Sequence, residues 1–340
     1  MKWVLQRVGA AVAAVVLLVV AAGVAVRAQY SGTPAAWARS TGHDALWMGH
    51  AWVDGSNKQP QLDALAARLR GGGIRDVYVH VGPFELNGRL NPAKYPDAEG
   101  FLRRFRVTLP GVRVQAWAGQ RVDHGLDLDD RKTRARILDG VRDLREAGFD
   151  GVHYNFEPMR SGGEGFLTLL KATRPLLRGS AGAGASERGL LSTSIPQIEP
   201  LGGLRLPVRL VAGRDKYWSE GYVTDVADRV DQIALMTYDS VMPMESLYGG
   251  HVVRQASLAL RAVPKDVDLL IGAPAYHEDT ATHDPDAETM GATARGARLA
   301  LSELSEERAR ERTFGLAIYV DFAARPGDWE AYHRHWVRGR

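Results

Sequence analysis

Three polar side chains share one face of a short and otherwise apolar segment of this sequence. His153, Asn155 and Glu157 alternate with apolar residues between Gly151 and Pro158. Because alternate residues of a strand point to the same side, the three side chains point together. Burying such a row costs free energy unless its members are hydrogen-bonded or used, and a positioned carboxyl group can act as a general acid. A catalytic row and a buried hydrogen-bond network without a catalytic role are the two interpretations.

The elements that position this row form a repeating pattern of strand and helix. The predicted strands are Ala45–Val53, Ile74–Val81, Val112–Ala118, Gly151–Glu157, Leu190–Ile195, Gln232–Tyr238, Leu269–Ala275 and Phe314–Val320. Eight alternating units favour a closed parallel (β/α)8 barrel of the α/β class, a TIM barrel, over an open sheet. Active sites of this fold lie at the carboxyl ends of the strands, where Glu157 stands. A low-complexity insertion, Gly179–Gly189, precedes the fifth strand.

Further candidate residues follow from the same strands. Trp117 shares its strand face with Gln115, and an aromatic ring at a barrel mouth either stacks on a sugar or packs in the core. Gln197 follows the fifth strand and is expected to reach the pocket. The acidic loop from His277 to Asp286 lacks the ligand spacing of a metal site, so we expect a solvated loop and no metal. No glycine-rich phosphate-binding motif follows any strand, so no nucleotide cofactor is expected.

The fourth strand carries a family resemblance. It resembles the D-G-x-D-x-D-x-E signature of family 18 glycoside hydrolases, the chitinases and related endoglycosidases. Asp150, Gly151 and Glu157 match that signature, whereas His153 and Asn155 stand where the family has its second and third aspartates.

Two later segments extend the resemblance in the correct order along the chain. The run from Met236 to Asp239 is similar to the M-x-Y-D motif at the end of the family's sixth strand. The run from Gly272 to Tyr276 is similar to the G-x-P-x-Y motif of its seventh strand. Tyr319, on the eighth strand, stands where the family usually has a tryptophan platform.

The resemblance implies a mechanism in which Glu157 is the general acid. The 2-acetamido oxygen of the substrate then attacks in place of a second protein carboxylate, an exception to the two-carboxylate rule. Asn155 occupies the position that orients the acetamide, and Tyr238 and Asp239 complete the grip on it. The resemblance also implies that Met236, Tyr276 and Tyr319 line the substrate site.

Position 153 adds a further substrate-site candidate with two possible states. His153 is either neutral and hydrogen-bonded to Asn155, or charged and the electrostatic partner that the missing aspartate would have supplied.

Three functions follow. The first is hydrolysis of β-linked glycans that contain N-acetylglucosamine. The second is sugar binding by a barrel that has lost hydrolysis, which the departures at positions 153 and 155 favour. The third is a retaining glycosidase with Glu157 as acid and base and Glu278 as nucleophile, which requires two carboxyl groups about 5–5.5 Å apart.

Composition and the N-terminal segment indicate where the protein acts. The 340 residues carry 43 Lys and Arg against 40 Asp and Glu, and the excess lies before residue 29, so a nucleic-acid surface is not expected. There is no cysteine, which excludes disulfides and a thiol nucleophile. The uncharged run Val8–Val26 is close to the length of about 20 residues that spans a bilayer, with cations before it. Residues 1–28 are therefore predicted to be a membrane anchor or a signal peptide, 29–44 a tether, and 45–340 a barrel outside the cell.

Overall fold

Eight parallel strands close into a barrel in the computed structural model, which describes residues 2–178, 188–213 and 215–340. The strands are β1 Asp44–Met48, β2 Ile74–His80, β3 Arg113–Arg121, β4 Gly151–Glu157, β5 Leu190–Ile195, β6 Gln232–Met236, β7 Asp268–Pro274 and β8 Phe314–Tyr319. Each strand pairs with its neighbour in the chain, and β1 pairs with β8. The predicted (β/α)8 barrel is confirmed, while most of the predicted insertion Gly179–Gly189 lies outside the described residues.

Helices cover the outside of the barrel. They are α1 Lys2–Gln29, α2 Gln59–Leu69, α3 Ala98–Thr108, α4 Arg131–Glu146, α5 Glu164–Leu176, α6 Arg205–Ala212, α7 Glu220–Ala227, α8 Glu245–Ala262, α9 Met290–Leu301, α10 Glu306–Arg310 and α11 Pro326–Ala331. The α2 helix shows why they pack there, since Leu62, Leu65 and Leu69 recur at helical spacing and are all buried.

The buried apolar residues divide into two clusters that separate the two faces of each strand. One cluster lies between strands and helices and includes Val152, Tyr154 and Phe156. The other includes Trp47 and Tyr78, with strand residues that face the barrel interior. The predicted alternation in β4 is therefore confirmed, because the odd-numbered residues of that strand are left to face the interior.

The first strand is shorter than predicted. It ends at Met48, and the predicted remainder contains a short 3-10 helix from His50 to Trp52. The carboxylate of Asp321 binds this segment, because its Oδ1 accepts from the Gly49 amide at 2.8 Å and its Oδ2 from the Trp52 indole at 2.6 Å. The chain therefore turns after Met48, where an extended strand was expected.

The N-terminal apolar segment is helical, as predicted, and its last turns reach the barrel. A side chain at Gly250 would collide with the carbonyl oxygen of Val26, so the glycine allows α1 to approach α8 closely. Among the described residues, no helix combines the length and apolarity needed to cross a membrane. A location outside the cell stays a prediction.

The segment 29–44 is bound to the barrel over part of its length, in contrast to the predicted tether. Ala38 is fully buried, and its carbonyl oxygen accepts a hydrogen bond of 2.6 Å from Arg298. The Tyr30 ring is also buried and lies under the guanidinium of Arg295, 4.1 Å from its centroid. Small and polar residues therefore mark a segment that follows the barrel surface.

Candidate active site

The carboxyl end of β4 presents the predicted polar row to the barrel interior. His153 is fully buried, whereas Asn155 and Glu157, nearer the mouth, are half-buried. The neighbouring strand allows this placement through Gly119, because a side chain there would collide with the Asn155 carbonyl oxygen. The row thus runs from the barrel interior to its open end, with the carboxyl group of Glu157 last.

His153 is a neutral hydrogen-bonding residue beneath the site. Its Nε2 lies 3.2 Å from the indole nitrogen of Trp47, which can only donate, so Nε2 is the acceptor. Its Nδ1 therefore carries the proton and donates to the Ser192 hydroxyl at 2.8 Å. Burial lowers the pKa of His153 to about 3, and the Tyr78 ring stacks on it at 3.8 Å. The histidine is neutral, as one alternative proposed, but its partners are Trp47 and Ser192, and Asn155 is not among them.

A buried polar network continues below His153. The Ser192 hydroxyl donates to Gln115 at 2.7 Å, and the Gln115 amide donates to Gln232 at 3.2 Å. Gln232 in turn donates to the carboxylate of Asp76, 3.0 Å away, which forms a bidentate ion pair with Arg113. Gln115, like His153, is fully buried, and both lie within this network beneath the mouth. Substrate binding by these two residues stays a prediction.

His153 should make stability dependent on pH. The pKa of His153 is about 3 in the folded protein against 6.5 for an unperturbed histidine. Between these two pH values the unfolded chain is protonated at this residue, whereas the folded protein is not. The free energy of unfolding therefore decreases as the pH falls, and this group accounts for about 2 kcal/mol between pH 7.5 and pH 5. Urea denaturation of wild type and His153→Gln at both pH values measures the difference.

Two other histidines, present in both proteins, serve as the control for that measurement. Burial also lowers the pKa of His80 to about 4 and that of His251 to about 3, and both residues remain in the variant. The wild type should lose about 2 kcal/mol more than His153→Gln on acidification. An equal loss in the two proteins would show that His153 takes up its proton without unfolding.

Asn155 is oriented by the next strand. Its Oδ1 accepts a hydrogen bond of 2.5 Å from the hydroxyl of Ser194, which is buried on β5. Since the oxygen is the acceptor, the amide nitrogen is the atom directed away from Ser194. Asn155 therefore presents hydrogen-bond donors on the face of β4 that it shares with Glu157.

Glu157 lies beside two tyrosines at the barrel mouth. Burial raises the pKa of Tyr238, and the neighbouring Tyr319 and the charge of Glu157 raise it further. Burial and the charge of Glu157 also raise the pKa of Tyr319 to about 12. The two rings stack with centroids 5.3 Å apart, and Trp117 meets Tyr319 edge-on at 6.1 Å. The carboxyl group of Glu157 thus lies near the stacked rings of Tyr238 and Tyr319, whose hydroxyls keep their protons at neutral pH.

Asp239 and Tyr276 form the opposite side of the site. The Tyr276 hydroxyl donates to Asp239 Oδ1 at 2.9 Å, and its ring meets those of Tyr238 and Tyr319 edge-on. Burial and the charge of Asp239 raise the pKa of Tyr276, which keeps this donor protonated. The Asp239 side chain is exposed, so it is open to a ligand at the mouth.

Two predicted residues have supporting positions. Gln197 is buried, and its amide donates to the Tyr238 carbonyl oxygen at 3.2 Å, so it holds the segment after β6 that carries Tyr238. Met236 is half-buried at the end of β6, paired with Gly272 of β7.

A buried carboxylate that the sequence did not reveal lies behind Asp239. Glu288 Oε2 accepts from the Asp239 amide at 2.8 Å and from His283 Nδ1 at 2.9 Å. Both side chains of this pair are completely buried, so the expected solvated loop is wrong for His283. Within the described residues, no cluster of three His, Cys, Asp or Glu side chains is arranged to hold a metal ion.

The barrel is similar in fold to solved structures. No protein-family model matches the chain, and no curated protein matches its sequence. Solved structures do match. A class V chitinase from Pseudomonas fluorescens Pf-5 is 17% identical, with a TM-score of 0.53 over 85% of this chain and 98% of that one. A family GH18 chitinase from Cycas revoluta, in complex with allosamidin, is 14% identical, with a TM-score of 0.55 over 87% and 98%.

A third similar structure is that of a spore cortex-lytic enzyme. The spore cortex-lytic enzyme SleL of Bacillus cereus is 11% identical, with a TM-score of 0.59 over 91% of this chain and 77% of that one. At these identities the likeness establishes the shared barrel fold, and the resemblance to family 18 is confirmed at that level.

Proposed function

We propose that this protein is a glycoside hydrolase that cleaves β-linked glycans containing N-acetylglucosamine. The observation that carries the proposal is the position of Glu157, at the carboxyl end of β4, beside Tyr238 and on the same strand face as Asn155. A carboxyl group in this position can protonate a glycosidic oxygen as general acid. The sugar-cleaving proteins of the same fold support the proposal.

The remaining residues fit a reaction in which the substrate supplies its own nucleophile. The acetamide oxygen attacks the anomeric carbon while Glu157 donates its proton to the departing oxygen. Asn155 and Tyr238 offer donors that orient the acetamide, and Asp239 accepts its N–H from the exposed side. Glu157, now ionised, then takes a proton from the water that opens the cyclic intermediate. The sugar ring stacks on the aromatic rings of Trp117 and Tyr319, which hold it at the barrel mouth.

Sugar binding without hydrolysis is the second candidate, and a specific observation favours it. His153 is neutral, and Asn155 is an uncharged amide. Neither side chain therefore supplies a negative charge that would stabilise the positive charge developing on the acetamide. A barrel with such a row can bind the glycan while it stabilises the transition state poorly.

One assay separates the two candidates. Purified protein is incubated with aryl N-acetylglucosaminides and with chitin oligosaccharides, and released aryl alcohol and shortened oligosaccharides are measured. We expect turnover that depends on Glu157. Oligosaccharide binding measured by calorimetry, together with no turnover of any of these substrates, would replace the hydrolase with the sugar-binding candidate.

A further inference from the structure

The buried carboxylate of Glu288 accepts hydrogen bonds from the turn that carries Asp239. We call residues Tyr238 to Val241 the Asp239 turn. Both backbone amides at its centre donate to Glu288, that of Asp239 to Oε2 at 2.8 Å and that of Ser240 to Oε1 at 2.7 Å. The Ser240 hydroxyl donates to the same Oε1 at 2.7 Å. Every contact delivers a hydrogen to an oxygen, so only a carboxylate satisfies all of them.

The Asp239 turn needs these hydrogen bonds because its backbone is strained. Asp239 has a φ of 54° and Val241 a φ of 66°. Left-handed conformations are costly for residues other than glycine, and a β-branched residue such as valine is a clear outlier there. The Val241 amide donates to the Thr282 carbonyl oxygen at 3.0 Å, so the loop after β7 also holds the turn. Strain of this kind persists only where the surroundings fix it.

His283 completes a closed set of contacts. Its Nδ1 lies 2.9 Å from Glu288 Oε2, and its ring stacks on Tyr276 with centroids 4.0 Å apart. The Tyr276 hydroxyl returns to Asp239 at 2.9 Å. Glu288 therefore fixes the backbone of Asp239, while His283 fixes both Glu288 and the tyrosine that orients the Asp239 carboxylate.

We propose that Glu288 and His283 are a positioning pair that sets the substrate-binding geometry of Asp239 and Tyr276 without touching the substrate. The inference rests on the proposed glycan-binding function of this barrel mouth. It adds two residues that come after the last of the resemblance motifs, and one of them, His283, lies in the loop expected to be solvated. The effect of Glu288 on substrate must pass through Asp239, and that requirement distinguishes positioning from a general contribution to stability.

The test is a double-mutant cycle between Glu288→Gln and Asp239→Ala. Glutamine keeps the length of Glu288 but replaces one of its two oxygens with an NH2 group. The turn therefore loses the hydrogen bonds that it donates to that oxygen. We expect Glu288→Gln to lower kcat/KM for chitin oligosaccharides about tenfold in the wild-type background. In the Asp239→Ala background the same change should cost less than about threefold, because the group that it positions is absent. An equal loss in both backgrounds would overturn the inference.

Matched substitutions at His283 check the second half of the pair. Asparagine can keep a donor near the Nδ1 position, whereas leucine of similar size has none. We expect His283→Asn to retain most of the kcat/KM and His283→Leu to lose about tenfold, at similar melting temperatures. Equal activity of the two variants would contradict the role of His283.

The same cycle is measured as oligosaccharide affinity by calorimetry, which separates this inference from the proposed hydrolysis. A wild type that binds but does not turn over removes the hydrolase proposal, and coupling in Kd between positions 288 and 239 still supports the pair. Additive effects on Kd would overturn it. A wild type that neither binds nor cleaves overturns both proposals.

Discussion

Replacing Glu157 with glutamine is expected to lower kcat by about 10²- to 10⁴-fold, the contribution of a positioned general acid. The amide keeps the shape of the side chain beside Tyr238 and Tyr319 but has no proton to donate to the leaving oxygen. Binding should survive, so the affinity for a chitin oligosaccharide should change by less than about threefold. Steady-state turnover and calorimetry on the same preparations measure the two effects.

Glu278→Gln is the matched variant for this experiment. Glu278 is exposed in the loop after β7, and its charge, like that of Glu157, raises the pKa of Tyr319. In the substrate-assisted reaction Glu278 has no covalent role, so its substitution should leave kcat within about threefold. A loss as large as that of Glu157→Gln, with a glycosyl-enzyme intermediate trapped on Glu278, would establish the two-carboxylate mechanism instead.

The parts of this site that the sequence predicts are those set by local periodicity. The alternation of β4 depends only on the two-residue repeat of a strand, so the side on which Glu157 lies could be predicted from one segment. The same repeat predicted the apolar face formed by Val152, Tyr154 and Phe156. The order of strand and helix then placed Glu157 at the carboxyl ends of the strands, where active sites of this fold lie.

The partners of each polar group could not be predicted in this way. His153 was expected to hydrogen-bond to Asn155 or to carry a charge, but both of its ring nitrogens bind residues of other strands, Trp47 and Ser192. Side chains two residues apart on a strand share a face, yet the barrel packs strands from distant parts of the chain around them. Its neutral state follows from that packing, because burial disfavours the charged form.

Glu288 shows a second limit of sequence analysis. It lies just before α9, where an acidic residue commonly favours a helix N-terminus, and no motif distinguishes it. Its ligands are backbone amides of Asp239 and Ser240, and any residue type supplies a backbone amide. Only the folding together of the loops after β6 and β7 reveals that the carboxylate is buried and has a partner at each oxygen.

If Asn155 limits the proposed hydrolase, replacing it with aspartate is expected to raise kcat by about 30- to 900-fold. An aspartate at this position stabilises the positive charge on the cyclic intermediate, and its loss costs about 2–4 kcal/mol of transition-state stabilisation. The hydrogen bond from Ser194 is compatible with the change, because its hydroxyl already donates to an oxygen of residue 155. Neutral His153 supplies no charge that would substitute for the aspartate.

The pH profile and a matched variant decide how the result is interpreted. A new carboxylate on the face of Glu157 should raise the pKa of Glu157, so the basic limb of the kcat profile should move to higher pH together with the gain. Asn155→Ala, which removes both the amide and the oxygen, should lose activity. A shifted profile without a gain would identify Asn155 as a group already tuned for catalysis. If wild type and Asn155→Asp both bind chitin oligosaccharides and neither cleaves them, the site binds sugar only, and the geometry around Glu157 serves recognition.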